Sequence, residues 1–107
     1  MESITAQALS AHLASNPHSR VIDVREQEEL SYGTIAGAEH IPMQTIPTAL
    51  PQLGDKAQQV LIIVCHAGVR SLHVAQYLEQ QGFQKVFNLL GGMNSWALEV
   101  DNTVTVY

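Results

Sequence analysis

The chain has 107 residues, 46% of them apolar and 14% charged, which is enough for one modest core and too apolar for a disordered tail. Ten acidic against five basic side chains give a formal charge of −5, which argues against nucleic acid or an anionic membrane as the main partner. The single cysteine excludes an internal disulfide, a CxxC redox pair and a thiolate zinc cluster within one chain.

The first residues, MESITAQALSAHLASN, contain no basic n-region and no unbroken apolar h-region, and no stretch reaches bilayer length. With a free thiol, this leads us to expect a protein of the reducing cytoplasm. Thr5 is placed to cap a helix running to about Ser15, with Leu9 and Leu13 on one face and Asn16-Pro17 ending it. VIDV (21–24) reads as a short strand, and REQEEL after it as an acidic helical turn that stops near Gly33. Segment 33–54, rich in Gly, Pro and Thr, reads as loop with a brief strand at His40-Ile41 and one helical turn around 45–50.

VLIIV (60–64) is the most apolar run, and its β-branched residues without polar alternation mark a strand buried on both faces. SLHVAQYLEQQG repeats at helical spacing through Leu72, Ala75 and Leu78, with Gly82 as the residue just past the end. KVFNL (85–89) returns as a strand, Gly91-Gly92 makes a turn, and MNSWALE closes with a short helix. Strands alternating with helices predict an α/β fold, a small central parallel sheet with helices on both faces, filling residues 1–107 as one domain.

In such sheets ligands bind beyond the carboxyl ends of the strands, and Cys65 stands at one of those ends with a helix following. A helix N-terminus offers unpaired N–H groups and partial positive charge, so the field that would hold an oxyanion also favours a charged sulfur. Gly68 lets the backbone curl into an inward nest of amides. Arg70, the only Lys or Arg between Lys56 and Lys85, adds a cation. Most free cysteines are inert hydrophobes, but an inert one has no use for a glycine and a guanidinium within five residues. Cys65 is therefore the expected nucleophile, cradled by His66, Ala67, Gly68, Val69, Arg70 and Ser71.

Four segments, VIDVREQEEL, GTIAGAEHIP, CHAGVRS and FNLLGGMNSW, resemble over nearly the whole chain the rhodanese family of persulfide-forming sulfurtransferases in its single-domain form. Thr34 stands where that family commonly has histidine and Ala36 where it commonly has proline; neither lies in CHAGVRS. The resemblance implies that the Cys65 thiolate attacks the outer sulfur of a donor such as thiosulfate and sulfite leaves. The persulfide then passes its sulfur to a thiophilic acceptor, cyanide or a thiol, in a second half-reaction. Backbone N–H groups of residues 66 to 70 would stabilise the persulfide. The implied partners are a small anionic donor and a thiophilic acceptor, a sulfur-accepting protein among the candidates, and neither metal nor organic cofactor is implied.

Two roles are open to Arg70: contact with the donor's oxyanion, or pairing with a carboxylate such as Asp23 to fix the loop. Asp23 reads as an acceptor behind the loop, for its N–H groups or for Arg70, with a turn-starting aspartate as the plainer account. Arg25, grouped with Asp23 behind the loop, reads as a surface partner of Glu29, four residues on. His66 is expected to line the entrance and not to act as a base. His12, His18, His40 and His73 show no metal-like clustering, and Trp96 reads as core.

Cysteine phosphatases and arsenate reductases are the first rival, but they separate cysteine and arginine by five residues. Here four lie between Cys65 and Arg70, a ring sized for one sulfur atom and too tight for phosphate. The second rival is an interaction module or sulfur carrier that delivers the persulfide to a protein.

Overall fold

The computed structural model describes residues 1–107. Five strands, β1 (Glu2–Ile4), β2 (Arg20–Asp23), β3 (Glu39–His40), β4 (Val60–Val64) and β5 (Lys85–Leu89), form one sheet ordered β1-β5-β4-β2-β3, with every pair parallel. Four α-helices, α1 (Ala6–Ser15), α2 (Ile46–Ala49), α3 (Val69–Gln80) and α4 (Gly92–Glu99), cover the two faces. This is the α/β architecture that the alternation of elements predicts.

The composition of β4 follows from its place. It lies between β5 and β2, and its side chains alternate between two cores. Leu61, Ile63 and Cys65 join Ile46, Val74, Ala75 and Leu78 of α2 and α3. Ile62 and Val64 join Ala6 and Leu9 of α1 and Met93, Trp96 and Ala97 of α4. Both faces are thus apolar, so the strand has no polar alternation. Trp96 is 7% exposed and packs in the second core, as its sequence context predicts.

Local chemistry sets the helix ends. The Thr5 hydroxyl accepts the Ala8 N–H at 3.1 Å and opens α1. At the end of α3, Gly82 takes φ +100° and the Phe83 N–H donates to the Leu78 carbonyl at 3.1 Å, a Schellman closure. The REQEEL turn is a 3-10 helix, Gln27–Tyr32, closed in front by reciprocal Glu26 and Glu29 side-chain bonds and behind by Gly33.

Several elements differ from the sequence expectation. β1 was not anticipated; three residues are too few for a periodic signal, and pairing of Glu2, Ser3 and Ile4 with Phe87, Asn88 and Leu89 creates the strand. The second and third strands each begin and end one residue earlier than expected. Around α2 the helical run is longer than one turn, flanked by 3-10 turns Met43–Thr45 and Leu50–Leu53, because Ile46, Ala49 and Leu53 are all buried. α3 starts at Val69 instead of Ser71, since Gly68 at φ +99° is its N-cap, and Leu72 on its expected inner face is only half-buried.

Candidate active site at the carboxyl end of β4

Cys65 follows β4 directly, and its residue is 1% exposed. The Gly68 N–H donates to its sulfur at 3.1 Å, and the thiol faces the Ser71 hydroxyl at 3.3 Å. Ser71 in turn donates to Asn88 Oδ1 at 2.5 Å, and Asn88 Nδ2 reaches the Gly68 carbonyl at 3.4 Å. Ser71 and Asn88 are both buried, so this chain of polar groups is closed and satisfied.

The loop's peptide planes are oriented from the far side. The Cys65 carbonyl accepts the Met93 N–H at 2.8 Å, and the His66 carbonyl accepts the Asn94 N–H at 3.2 Å, both from the first turn of α4. In a trans peptide the N–H points opposite its carbonyl, and the chain has no cis bond. The N–H groups of His66 and Ala67 are therefore turned away from α4. They and the N–H groups of Val69 and Arg70 have no acceptor within the chain. Gly92 makes the close approach of α4 possible: a Cβ there would sit 2.5 Å from both loop carbonyls, and its φ is +57°. Ser71 and Arg70 occupy the first turn of α3, whose N-terminal dipole also faces this loop.

Charged groups brace the loop in two layers. Arg70 binds Glu29 end-on through both terminal nitrogens, at 2.6 and 2.7 Å. That contact holds the Glu29 carboxyl at about 2, well below its usual range, against the opposing effect of burial. Glu29 likewise raises the Arg70 guanidinium. Behind this pair, Arg25 is fully buried and binds Asp23 through Nε and Nη2, at 3.0 and 2.8 Å. Its remaining N–H groups reach the Glu29 and Gly33 carbonyls and the Tyr107 hydroxyl, so the guanidinium is fully used. His40 Nε2 bonds the Arg25 carbonyl at 2.7 Å.

Four expectations are corrected here. Arg70 does pair with a carboxylate, but with Glu29 and not Asp23. Asp23 accepts from Arg25 and not from loop amides or Arg70. Arg25 is an interior hub rather than a surface partner of the Glu29 side chain, because the buried Asp23 carboxylate claims it first. His66 is half-buried beneath another ring, not open to the entrance: Tyr107 stacks on it at 3.8 Å and 4°.

Sequence reasoning missed Glu29 as the Arg70 partner, together with Asn88, Asn94 and Tyr107. Asn88 had a signal, being the one polar residue within the run VFNLL. The others act through tertiary contacts that no local spacing announces.

The chain matches the model of the rhodanese-like domain over residues 5–99. It is 36% identical over 94 residues to a sulfurtransferase of Allochromatium vinosum, covering 88% of this chain and 86% of the relative. It is 37% identical over 76 residues to thiosulfate sulfurtransferase GlpE of Coxiella burnetii, covering 71% of this chain and 69% of that one. The crystal structure of a rhodanese-like domain protein from Staphylococcus aureus superposes with a TM-score of 0.84 at 37% identity, covering 100% of this chain and 99% of the other. A rhodanese-like sheet with a cysteine-bearing loop at its carboxyl edge, matched along almost its full length by sulfurtransferases, places the chain in the rhodanese family.

Proposed function

We propose that the protein is a sulfurtransferase that takes sulfane sulfur from a small anionic donor such as thiosulfate onto Cys65 and passes it to a thiophilic acceptor. The observation that carries this reading is the set of loop amides at His66, Ala67, Val69 and Arg70 that have no acceptor in the chain, beside the Gly68 N–H already on the sulfur. Such donors match a negatively charged sulfur and the charge that develops when it is attacked.

In the first half-reaction the Cys65 thiolate attacks the outer sulfur of thiosulfate. A new S–S bond forms, the old one breaks, and sulfite leaves with its electron pair. In the second, cyanide or a thiolate attacks the outer sulfur of the persulfide, and the Cys65 thiolate is the leaving group. Ser71 is positioned to turn its hydroxyl from Asn88 toward the charged sulfur, 3.3 Å away. Arg70, held end-on by Glu29, shapes the loop and leaves its Nε–H unbonded. The fold of one such domain spans residues 1–107 in this reading.

Intact mass measurement tests it. Incubation with thiosulfate is expected to add one sulfur atom to the wild-type chain and none to Cys65→Ala, and cyanide is expected to remove it as thiocyanate. No added mass, or hydrolysis of an aryl phosphate without thiocyanate release, overturns the proposal.

A further inference from the structure

Tyr107 reaches the loop from 41 residues beyond His66, and every part of it is held. Its ring lies between Tyr32, at 4.1 Å and 10°, and His66, at 3.8 Å and 4°. Asn94 clamps its backbone: Oδ1 accepts the Tyr107 N–H at 3.0 Å and Nδ2 donates to the carbonyl at 2.9 Å. His66 Nε2 donates to the same carbonyl at 2.5 Å. The hydroxyl donates to Glu29 at 2.7 Å and accepts Arg25 Nη1 at 3.1 Å. The Glu29 carboxylate that receives this hydroxyl is the one that holds Arg70. One side chain therefore ties His66, at the start of the loop, to the Glu29–Arg70 pair at its end. The segment tied in this way follows Cys65 directly in the chain and gives its Gly68 N–H to the Cys65 sulfur at 3.1 Å.

Two observations give this strap a consequence for reactivity. Cys65 is 1% exposed, so a bulky partner needs something to move before it reaches the sulfur. The rings of Tyr107 and Tyr32 are stacked outside His66, and Tyr32 is 39% exposed, so that stack faces solvent beside the loop and has little packed over it. Stacked rings held by a few polar contacts at a surface open at lower cost than the sheet does.

We infer that Tyr107 is a positioning residue that selects the sulfur acceptor by size, closing the Cys65 loop to bulky thiols while its ring is docked between His66 and Tyr32. This rests on the sulfur-transfer reading for its biological meaning, but access to Cys65 can be measured without sulfur chemistry. Cys65 is the only cysteine, so alkylation reports it alone.

The experiment compares the rates at which iodoacetamide and pyrene maleimide modify Cys65 in the wild type, Tyr107→Ala, Tyr107→Phe and Tyr32→Ala. Tyr107→Ala is expected to raise the maleimide rate relative to the iodoacetamide rate about tenfold, the gain from removing a closed state favoured roughly nine to one. Tyr32→Ala, which removes only the outer ring of the stack, is expected to move the ratio in the same direction. Tyr107→Phe keeps the ring and is expected to keep the wild-type ratio. Transfer from the persulfide to glutathione, set against transfer to cyanide, is expected to follow the same order. A rate ratio unchanged in both alanine variants overturns the inference. A wild type that gains no sulfur from thiosulfate while the alkylation ratio still shifts defeats only the sulfur-transfer reading.

Discussion

Among single residues, Glu29 carries more than its place on a surface turn foretells. Its carboxylate receives Arg70 twice and the Tyr107 hydroxyl once, while its backbone carbonyl receives Arg25. Because its folded pKa lies at about 2, below the ordinary 4.5, the ionised form adds stability that is complete above 4.5 and is lost as pH falls toward 2. Across that window we expect a loss on the order of 2 kcal/mol, discounted for the solvent that reaches Arg70. Urea unfolding followed against pH checks it: Glu29→Gln is expected to lack this part of the slope, and an equal slope in both proteins counts against the pair. Arg25 shows the other extreme, a guanidinium with no exposed surface and every N–H bonded, which is how a buried charge is tolerated.

Between elements, the loop after β4 owes its shape to α4. Two carbonyls are drawn to the first turn of that helix, and only glycine fits at 92 between them. Gly92→Ala is expected to cost about 2–4 kcal/mol, through a clash and a left-handed backbone together, and to abolish sulfur gain from thiosulfate. Denaturant midpoints and intact mass measure the two effects; a stable variant that still takes up sulfur contradicts this account of the loop. The same elements mark how far sequence reading reaches. β4 and α3 were legible because burial on two faces leaves an unbroken apolar run and a helix against a sheet leaves a periodic one. The loop was legible because Cys65, Gly68 and Arg70 are close in the chain and each needs a special setting. The ion pairs were not, since Arg25 and Glu29 also satisfy a helical spacing, and only the buried Asp23 carboxylate decides between partners. β1 escaped because three residues of mixed polarity become a strand only where β5 offers them an edge.

For the molecule as a whole, charge and site pull in different directions. The chain carries −5, the proposed donor is an anion, and the loop's own arginine, Arg70, is already paired with Glu29. Long-range repulsion should slow encounter with thiosulfate, and salt should relieve it, since the screening length falls from about 30 Å at 0.01 M to about 8 Å at 0.15 M. The second-order rate of sulfur uptake is expected to rise about twofold or more over that range in a salt whose anion is too large for the loop, such as gluconate. A rate that falls would mean that local positive potential governs capture. The dependence of the Cys65 loop on Gly92, Met93, Asn94 and Tyr107 has one more outcome. While the polypeptide is being synthesised, the thiol emerges well before the residues that orient the amides around it. A nascent chain that stops short of them carries a sulfhydryl without its oriented amides, so the sulfur transfer proposed above begins only once those residues have emerged.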